Sequence, residues 1–386
     1  MQKTDPFIEI RPYKDEELPM AINRLLKNKG FISSLVNFIP QIPLNVLIKK
    51  IKRVQNISEF QEEIFVPICQ NLIERSIDKV TVSGYEALDK NKNYLFLANH
   101  RDIIMDSAIL QIYLNSQHDK ICLSCIGDNL LSSQILTDVA KVCNMFTITR
   151  NGTAREMVMN SKLVSEYIRS NIVNEGNSVW LAQRNGRTKD GMDKTQQSVL
   201  KMLYSSKKDV DIYTSLKQLN IVPLTISYEF EPCDNLKARE VLLTKKNKKY
   251  VKTQEEDFKS MSAGIFDYKS QVHLQFGHVI NSDIDESLTF SCDNEKLQYI
   301  CSLIDKQMYS NYHLFPNNFI AYDMLNNSNQ FQEQYTDMHK RDFMQHIRKR
   351  ANIDDVVFFK MKQQLLTMYA NPVKSYLSLE LKNEMW

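Results

Sequence analysis

The chain has few glycines and no long hydrophobic run. Only 9 of its 386 residues are glycine, so each glycine is expected to mark a backbone position that disfavours a side chain. No unbroken apolar stretch reaches the roughly 18 residues that a membrane-spanning helix requires. The first residues also lack the basic start and apolar core of a signal peptide. These absences predict a cytoplasmic protein without a spanning helix.

Paired cysteines and a strong net charge are also missing. The 7 cysteines are scattered and odd in number, which favours buried thiols in a reducing compartment over disulfides. Cys122 and Cys125 have C-x-x-C spacing, but no second ligand pair accompanies them, so we expect no metal site. The formal charge of +3 is too small to indicate nucleic-acid binding.

The alternation of strand-like and helical segments predicts the fold class. From residue 79 to 291 it indicates an α/β domain with a mainly parallel central sheet flanked by helices. An N-terminal helical region (1–78) and a C-terminal helical extension (292–386) are predicted around it. The polar run 237–269 is predicted to be a solvated loop, with a contact to acidic lipid or phosphate as the alternative. Pro223 is expected at a strand start, an edge or a bulge, because proline cannot donate to a sheet.

Residues 31–53 combine an apolar segment, broken by Pro40 and Pro43, with a basic cluster at 49–53. Such a segment can lie in a bilayer interface with its lysines near anionic headgroups. It can equally form a broken amphipathic helix pair packed on the domain, and the sequence leaves both alternatives open.

A histidine follows the most central of the predicted strands. The apolar run 94–98 predicts a buried strand, Asn99 and His100 follow it, and Asp106 opens the next predicted helix. Open α/β sheets place chemistry at such strand ends. Asp102 or Asp106 could hold one ring nitrogen while the other takes a proton from a substrate hydroxyl. Alternatively, these residues only cap a strand–helix junction.

Three arginines follow predicted core strands at the same edge of the sheet. Arg150, Arg184 and Arg187 each come just after a strand, and guanidinium groups bind phosphate or carboxylate in a bidentate manner. Gly186 permits a tight turn and a close backbone approach to a ligand. The sequence therefore predicts an anion site near His100.

Four ordered blocks resemble the glycerolipid acyltransferase family, which includes glycerol-3-phosphate and 1-acylglycerol-3-phosphate acyltransferases. The blocks are Asn-His followed by Asp, Phe-Thr-Ile-Thr-Arg, a Gly-Arg turn and Val-Pro-Leu, and they lie within residues 79–280. The family usually has four residues between its His and Asp, whereas five separate His100 from Asp106. Asn185 or Arg184 stands where the family has Glu.

The resemblance implies transfer of a fatty acyl group from acyl-CoA or acyl-carrier protein, without a cofactor, to glycerol-3-phosphate or a lysophospholipid. The reaction would take place at a phospholipid membrane, on its cytoplasmic face. His100 would be the general base and Asp106 its orienting partner. The substrate-binding residues would be Asn99, Arg101, Arg150, Arg184, Gly186, Arg187 and Pro223.

Other functions remain to be weighed against this one. The acceptor could instead be a hydroxylated amino-acid lipid without phosphate, or the chain could bind lipid or acyl-carrier protein without catalysis. A metal-dependent phosphoesterase is disfavoured, since no second His–Asp cluster completes a metal site.

Overall fold

Seven strands form the central sheet of the computed structural model, which describes residues 5–150, 152–247, 250–353 and 356–383. The strands are β1 (Ile77–Ser83), β2 (Leu95–Ala98), β3 (Leu123–Gly127), β4 (Met145–Ile148), β5 (Val179–Ala182), β6 (Ile221–Tyr228) and β7 (Ser270–Phe276). Their order across the sheet is β1-β7-β6-β2-β5-β3-β4. Strands β2 to β6 run parallel, β7 is antiparallel to β6, and β1 is parallel to β7. The predicted α/β class with a mainly parallel sheet is confirmed.

Helices surround this sheet. They are α1 (Leu18–Lys27), α2 (Lys29–Phe38), α3 (Leu44–Arg53), α4 (Ile57–Phe60), α5 (Val66–Ser76), α6 (Met105–Ser116), α7 (Gln134–Val142), α8 (Ala154–Ser170), α9 (Gln197–Tyr204), α10 (Ile212–Lys217), α11 (Asp234–Lys246), α12 (Gln254–Phe266), α13 (Asp293–Asn311), α14 (Pro316–Asn326), α15 (Asp337–Ala351) and α16 (Phe358–Asn383). Of the described helices, none is long and apolar enough to cross a bilayer.

The apolar composition of β2 follows from its burial on both faces. Leu95 and Leu97 join the core beneath α8, α9 and α13, whereas Phe96 and Ala98 join the core beneath α6 on the opposite face. Successive side chains of a strand point to opposite faces, so a strand covered on both sides needs a continuous apolar run. β2 is the central strand of the sheet, and its burial on both faces fixes the position of the residues that follow it.

The segment 31–53 forms the helices α2 and α3. Leu35, Leu47 and Ile51 are buried in a core that also contains residues of α1 and α7. The apolar stripe of this segment therefore packs largely on the domain. Val46 on α3 remains exposed beside the basic residues of that helix.

Two local predictions were wrong. The run 237–269 is not a loop, because most of it lies in α11 and α12. Pro223 lies inside β6, a buried interior strand, paired with Leu97 without a break in register. Its carbonyl oxygen accepts a hydrogen bond from Gly277 N at 2.8 Å, just past the end of β7. The nitrogen of Pro223, which has no hydrogen, is therefore on the side of β7, where that strand ends. The hydrogen bonds between β6 and β2 are not affected.

The C-terminal helices α14, α15 and α16 share a core with Ala238 of α11. Asp234, at the start of α11, is fully buried and contacts His346 Nε2 (2.7 Å), Arg350 Nε (2.6 Å) and Tyr369 Oη (3.0 Å). Burial alone would raise the pKa of Asp234, but these partners lower it to about 2. A carboxylate thus joins the extension to the α/β domain.

We expect Asp234→Asn to destabilise the protein by about 2 kcal/mol at pH 7, from a pKa that falls from 3.8 to about 2 on folding. Because the folded pKa is depressed, this stabilisation is complete above pH 3.8 and is lost as the pH falls through about 2. Urea unfolding of the wild type and the variant at pH 7 and at pH 3 measures this difference in the free energy of unfolding. Asp342→Asn, an exposed change on α15, is the control, and equal stability of the two variants at pH 7 would contradict the prediction.

Candidate active site

The side chain of Asn99, the first polar residue after β2, joins the end of this strand to its neighbour β6. Asn99 Nδ2 donates to Ile226 O (3.0 Å) and Asn99 Oδ1 accepts from Ile226 N (2.7 Å). Asn99 therefore continues the pairing of β2 and β6 through its side chain. His100 follows at the carboxyl edge of the sheet, between the ends of β5 and β6.

His100 and Asp106 form a buried pair. His100 Nδ1 lies 2.9 Å from Asp106 Oδ2, and the same oxygen accepts from Arg101 N (2.7 Å) and Asp102 N (2.9 Å). Tyr228 Oη donates to Asp106 Oδ1 at 2.8 Å. A carboxylate surrounded by donors acts as an acceptor, so Nδ1 carries the ring hydrogen and donates it to Asp106. In the described chain, Nε2 of His100 makes no hydrogen bond and presents its lone pair.

Two aromatic residues that the sequence did not indicate support this pair. Burial and the neighbouring Asp106 raise the pKa of Tyr228 well above its usual range, so its hydroxyl stays protonated and donates. The Trp180 ring packs edge-on against His100 with ring centroids 5.7 Å apart. Tyr228 is the last residue of β6, which is the signal that could have identified it, whereas Trp180 lies inside β5.

Asp102, the other candidate carboxylate, has a different contact set. Its Oδ1 accepts from Ile104 N (2.9 Å) and Met105 N (2.8 Å), so it begins helix α6. Gly264 of α12 packs on its other oxygen, and a Cβ atom on Gly264 would fall 2.0 Å from Asp102 Oδ2. Of the two carboxylates, Asp106 thus contacts the ring, and the additional loop residue is accommodated before α6.

Arg101 is the centre of a buried network of charges. Its guanidinium donates to Asp193 (2.5 Å from Nη2) and Glu231 (3.0 Å from Nη1), and Lys237 Nζ donates to Glu231 and to Arg101 O, both at 2.6 Å. Asn99 Nδ2 also donates to Asp193 at 2.9 Å. Although burial would lower the pKa of Arg101, the two carboxylates hold it well above its usual range. Asn99 and Arg101 therefore bind protein groups and hold the backbone that supports Asp106.

The segment 183–194, here called the Arg187 loop, is attached directly to His100. Thr188 N donates to His100 O at 2.8 Å, and Thr188 Oγ1 donates to Asp193 Oδ1 at 2.7 Å. Gly186 has a φ of +74°, which favours glycine, and no atom of the described chain approaches the position of its missing Cβ within 4 Å. The loop thus brings Arg187 beside the His100 backbone.

The guanidinium of Arg187 is buried and incompletely paired. Its Nη1 has no hydrogen-bond partner among the described residues. Cys233 Sγ lies 4.0 Å from Asp102 Oδ2, and burial and Asp102 raise the pKa of this thiol to about 11 while Arg187 opposes the rise. Arg187 is therefore close enough to Cys233 to act electrostatically on its thiol. A buried donor without a partner suits an anionic ligand, because buried polar groups are normally paired.

The structure separates the remaining predicted residues. Arg184 is half-buried, with Nη1 donating to Met192 O at 3.3 Å and with Nε lacking a partner in the part of the chain that is described. Arg150 is exposed beyond β4, and β5 and β3 lie between β4 and β2. Pro223 pairs with Leu97, below the edge that carries His100. Of the arginines, Arg187 is thus the one joined to the His100 loop.

A family model described as Acyltransferase matches residues 79–227. A search of the curated proteins finds no match. Among solved structures, the 1-acyl-sn-glycerophosphate acyltransferase PlsC from Thermotoga maritima is similar, with 14% identity, 76% of this chain and 93% of that chain covered, and a TM-score of 0.36. Residues 79–227 are therefore similar to the Acyltransferase family, in agreement with the family resemblance found in the sequence.

Proposed function

We propose that this protein is an O-acyltransferase that moves a fatty acyl group from acyl-CoA or acyl-carrier protein to a hydroxyl of glycerol-3-phosphate or a lysophospholipid. The observation that carries the proposal is the His100–Asp106 pair, with Nε2 free, beside the incompletely paired Arg187. General-base chemistry and anion binding are the two capabilities that such an acceptor requires.

In the proposed mechanism His100 Nε2 takes the proton of the acceptor hydroxyl while the hydroxyl oxygen attacks the thioester carbonyl. Asp106 remains a carboxylate and stabilises the imidazolium through the 2.9 Å contact to Nδ1. The tetrahedral intermediate then collapses, the carbon–sulfur bond breaks, and the imidazolium returns its proton to the leaving thiolate. No covalent enzyme intermediate is needed, and His100 ends in its starting state.

Arg187 is proposed to bind the phosphate of the acceptor. A desolvated guanidinium with a free Nη1 can form a bidentate pair with a phosphate, which fixes the orientation of the neighbouring hydroxyl. Arg184 and Arg150 are proposed as additional cations along the same edge, with Gly186 providing the turn. Pro223 is proposed to shape the pocket that binds the acyl chain or the acceptor.

The donor and the lipid are proposed to reach the site from a membrane surface on the cytoplasmic side. The basic residues of α3, next to the exposed Val46, are suited to anionic headgroups. The bound acyl thioester is a substrate, so the proposed reaction needs no cofactor.

The experiment that tests this function is one incubation of the purified protein with isotope-labelled acyl-CoA or acyl-carrier protein and a panel of acceptors. The panel contains glycerol-3-phosphate, lysophosphatidate, a neutral-headgroup lysolipid and a phosphate-free hydroxylated acyl amino acid. Mass spectrometry identifies the product, and we expect label in a phosphate-bearing ester. Label only in the phosphate-free lipid would favour the amino-acid lipid alternative, and acceptor binding without any transfer would favour a non-catalytic protein.

A further inference from the structure

The C-terminal helix α16 contacts the backbone of the Arg187 loop. Asn371 Nδ2 donates to Asp190 O at 2.6 Å. Gly191, with a φ of +82°, lies so close to α16 that a Cβ atom would fall 2.0 Å from Met368 O. Only glycine can occupy position 191 while the loop keeps this approach.

Helix α16 has a proline where this contact is made. Pro372 lies inside the helix and has no N–H, so the carbonyl oxygen four residues earlier, Met368 O, lacks its usual intrahelical donor. This is the same oxygen that Gly191 meets. Gly191 of the loop thus packs against the part of α16 that the proline makes irregular. We call this part of the helix the loop seat (Met368, Asn371 and Pro372).

A second chain of contacts leads from α16 to the catalytic pair. Tyr369 Oη accepts from Glu231 N at 2.9 Å and donates to Asp234 Oδ2 at 3.0 Å. Glu231 in turn binds the Arg101 guanidinium at 3.0 Å, and Arg101 N donates to the Asp106 carboxylate at 2.7 Å. Every step in this chain is a hydrogen bond between buried groups.

We propose that α16, which lies outside the segment matched to the acyltransferase family, is a positioning element of the active site that acts at two places. Tyr369 acts through Glu231 and Arg101 on the His100–Asp106 pair and so determines turnover. The loop seat acts on the Arg187 loop and so determines the affinity for an anionic acceptor. This inference rests on the proposed function. Its physical basis is that catalytic groups must be held to within a fraction of an ångström.

Tyr369→Phe tests the first effect, because it removes one hydroxyl and leaves the ring in the core. We expect kcat to fall about tenfold with the acceptor KM changed less than about twofold. Tyr376→Phe, an exposed tyrosine on the same helix, is the matched control. Assays are made well below the melting temperature of each variant. An unchanged kcat in a folded Tyr369→Phe protein would overturn this part of the proposal.

Asn371→Leu tests the second effect. We expect the KM for the phosphate-bearing acceptor to rise about tenfold, a larger change than that in kcat, because the loop that carries Arg187 loses its amide contact. Gln363→Leu, an exposed amide on α16, is the control. Gly191→Ala disturbs the same seat from the loop side and serves if Asn371→Leu does not fold. An unchanged KM in the folded variants would overturn this part.

Hydrogen exchange of residues 183–194 provides a readout that needs no substrate. We expect faster exchange in Asn371→Leu than in Gln363→Leu, and equal rates would contradict the loop seat. If the wild type transferred no acyl group to any acceptor, the proposed function would fail while this measurement still tested the seat.

Discussion

His100→Ala is expected to lower kcat for acyl transfer by about 10²- to 10⁴-fold, the range that a positioned general base contributes. The reason is that Nε2 is the open nitrogen of a ring whose Nδ1 is held by Asp106 at 2.9 Å. The protein should stay folded, because the ring lies at the edge of the core and its loss leaves the Asp106 contacts to Arg101 N, Asp102 N and Tyr228 Oη in place. Steady-state transfer and a melting curve measure both outcomes.

The chain offers a matched control for this substitution. His278 also contacts an aspartate, Asp283, at 2.8 Å, but it lies exposed after β7. His278→Ala should therefore leave kcat unchanged. Asp106→Asn should approach the loss of His100→Ala, because the amide no longer selects the tautomer with Nδ1–H. Activity of His100→Ala equal to that of His278→Ala would remove the proposed mechanism.

Arg187→Met should raise the KM for phosphate-bearing acceptors by about 30-fold or more, which is the effect of losing about 2 kcal/mol or more from a buried guanidinium–phosphate pair. The KM for a phosphate-free acceptor should not change. Stability should be unchanged or higher, because Nη1 of Arg187 makes no hydrogen bond in the described chain and its burial is a cost. Loss of affinity with retained stability distinguishes a binding arginine from a structural one.

The other arginines calibrate this result. Arg150→Ala should have a smaller effect on KM, since Arg150 is exposed at the far side of the sheet. Arg155→Ala, a change at an exposed position on α8, should have none. A larger effect of Arg150→Ala than of Arg187→Met would move the anion site toward β4 and contradict the role proposed for Arg187.

The strand, histidine and helix of the candidate active site could be predicted because their signals are local. The apolar run of β2 indicates a strand that is buried on both faces. The residues that follow such a strand lie at the carboxyl edge of the sheet. The position of Asp106 at the first turn of α6 was also predicted. Which carboxylate holds the ring was left open, since both lie within six residues of His100 and only the turn at Asp102 decides the geometry.

The charge network around Arg101 could not be predicted from the sequence. Asp193, Glu231 and Lys237 lie about 90 to 136 positions away from Arg101 and have no common period or motif. Pro223 was misassigned because the sequence does not reveal where the neighbouring strand β7 ends. The run 237–269 was misassigned because its polar composition hides the few residues that pack, among them Gly264 on Asp102.

The sequence by itself determined the α/β class, the resemblance to acyltransferases and the presence of a histidine, a carboxylate and arginines at one edge of a sheet. These features depend on short-range periodicity and on strand ends, which the order of residues specifies. Only the tertiary structure decided that Asp106 holds His100, that Arg101 holds the loop and that Arg187 is buried with a free donor. It also showed that α16 supports the Arg187 loop, because contacts between residues distant in sequence form only when the separate cores pack together.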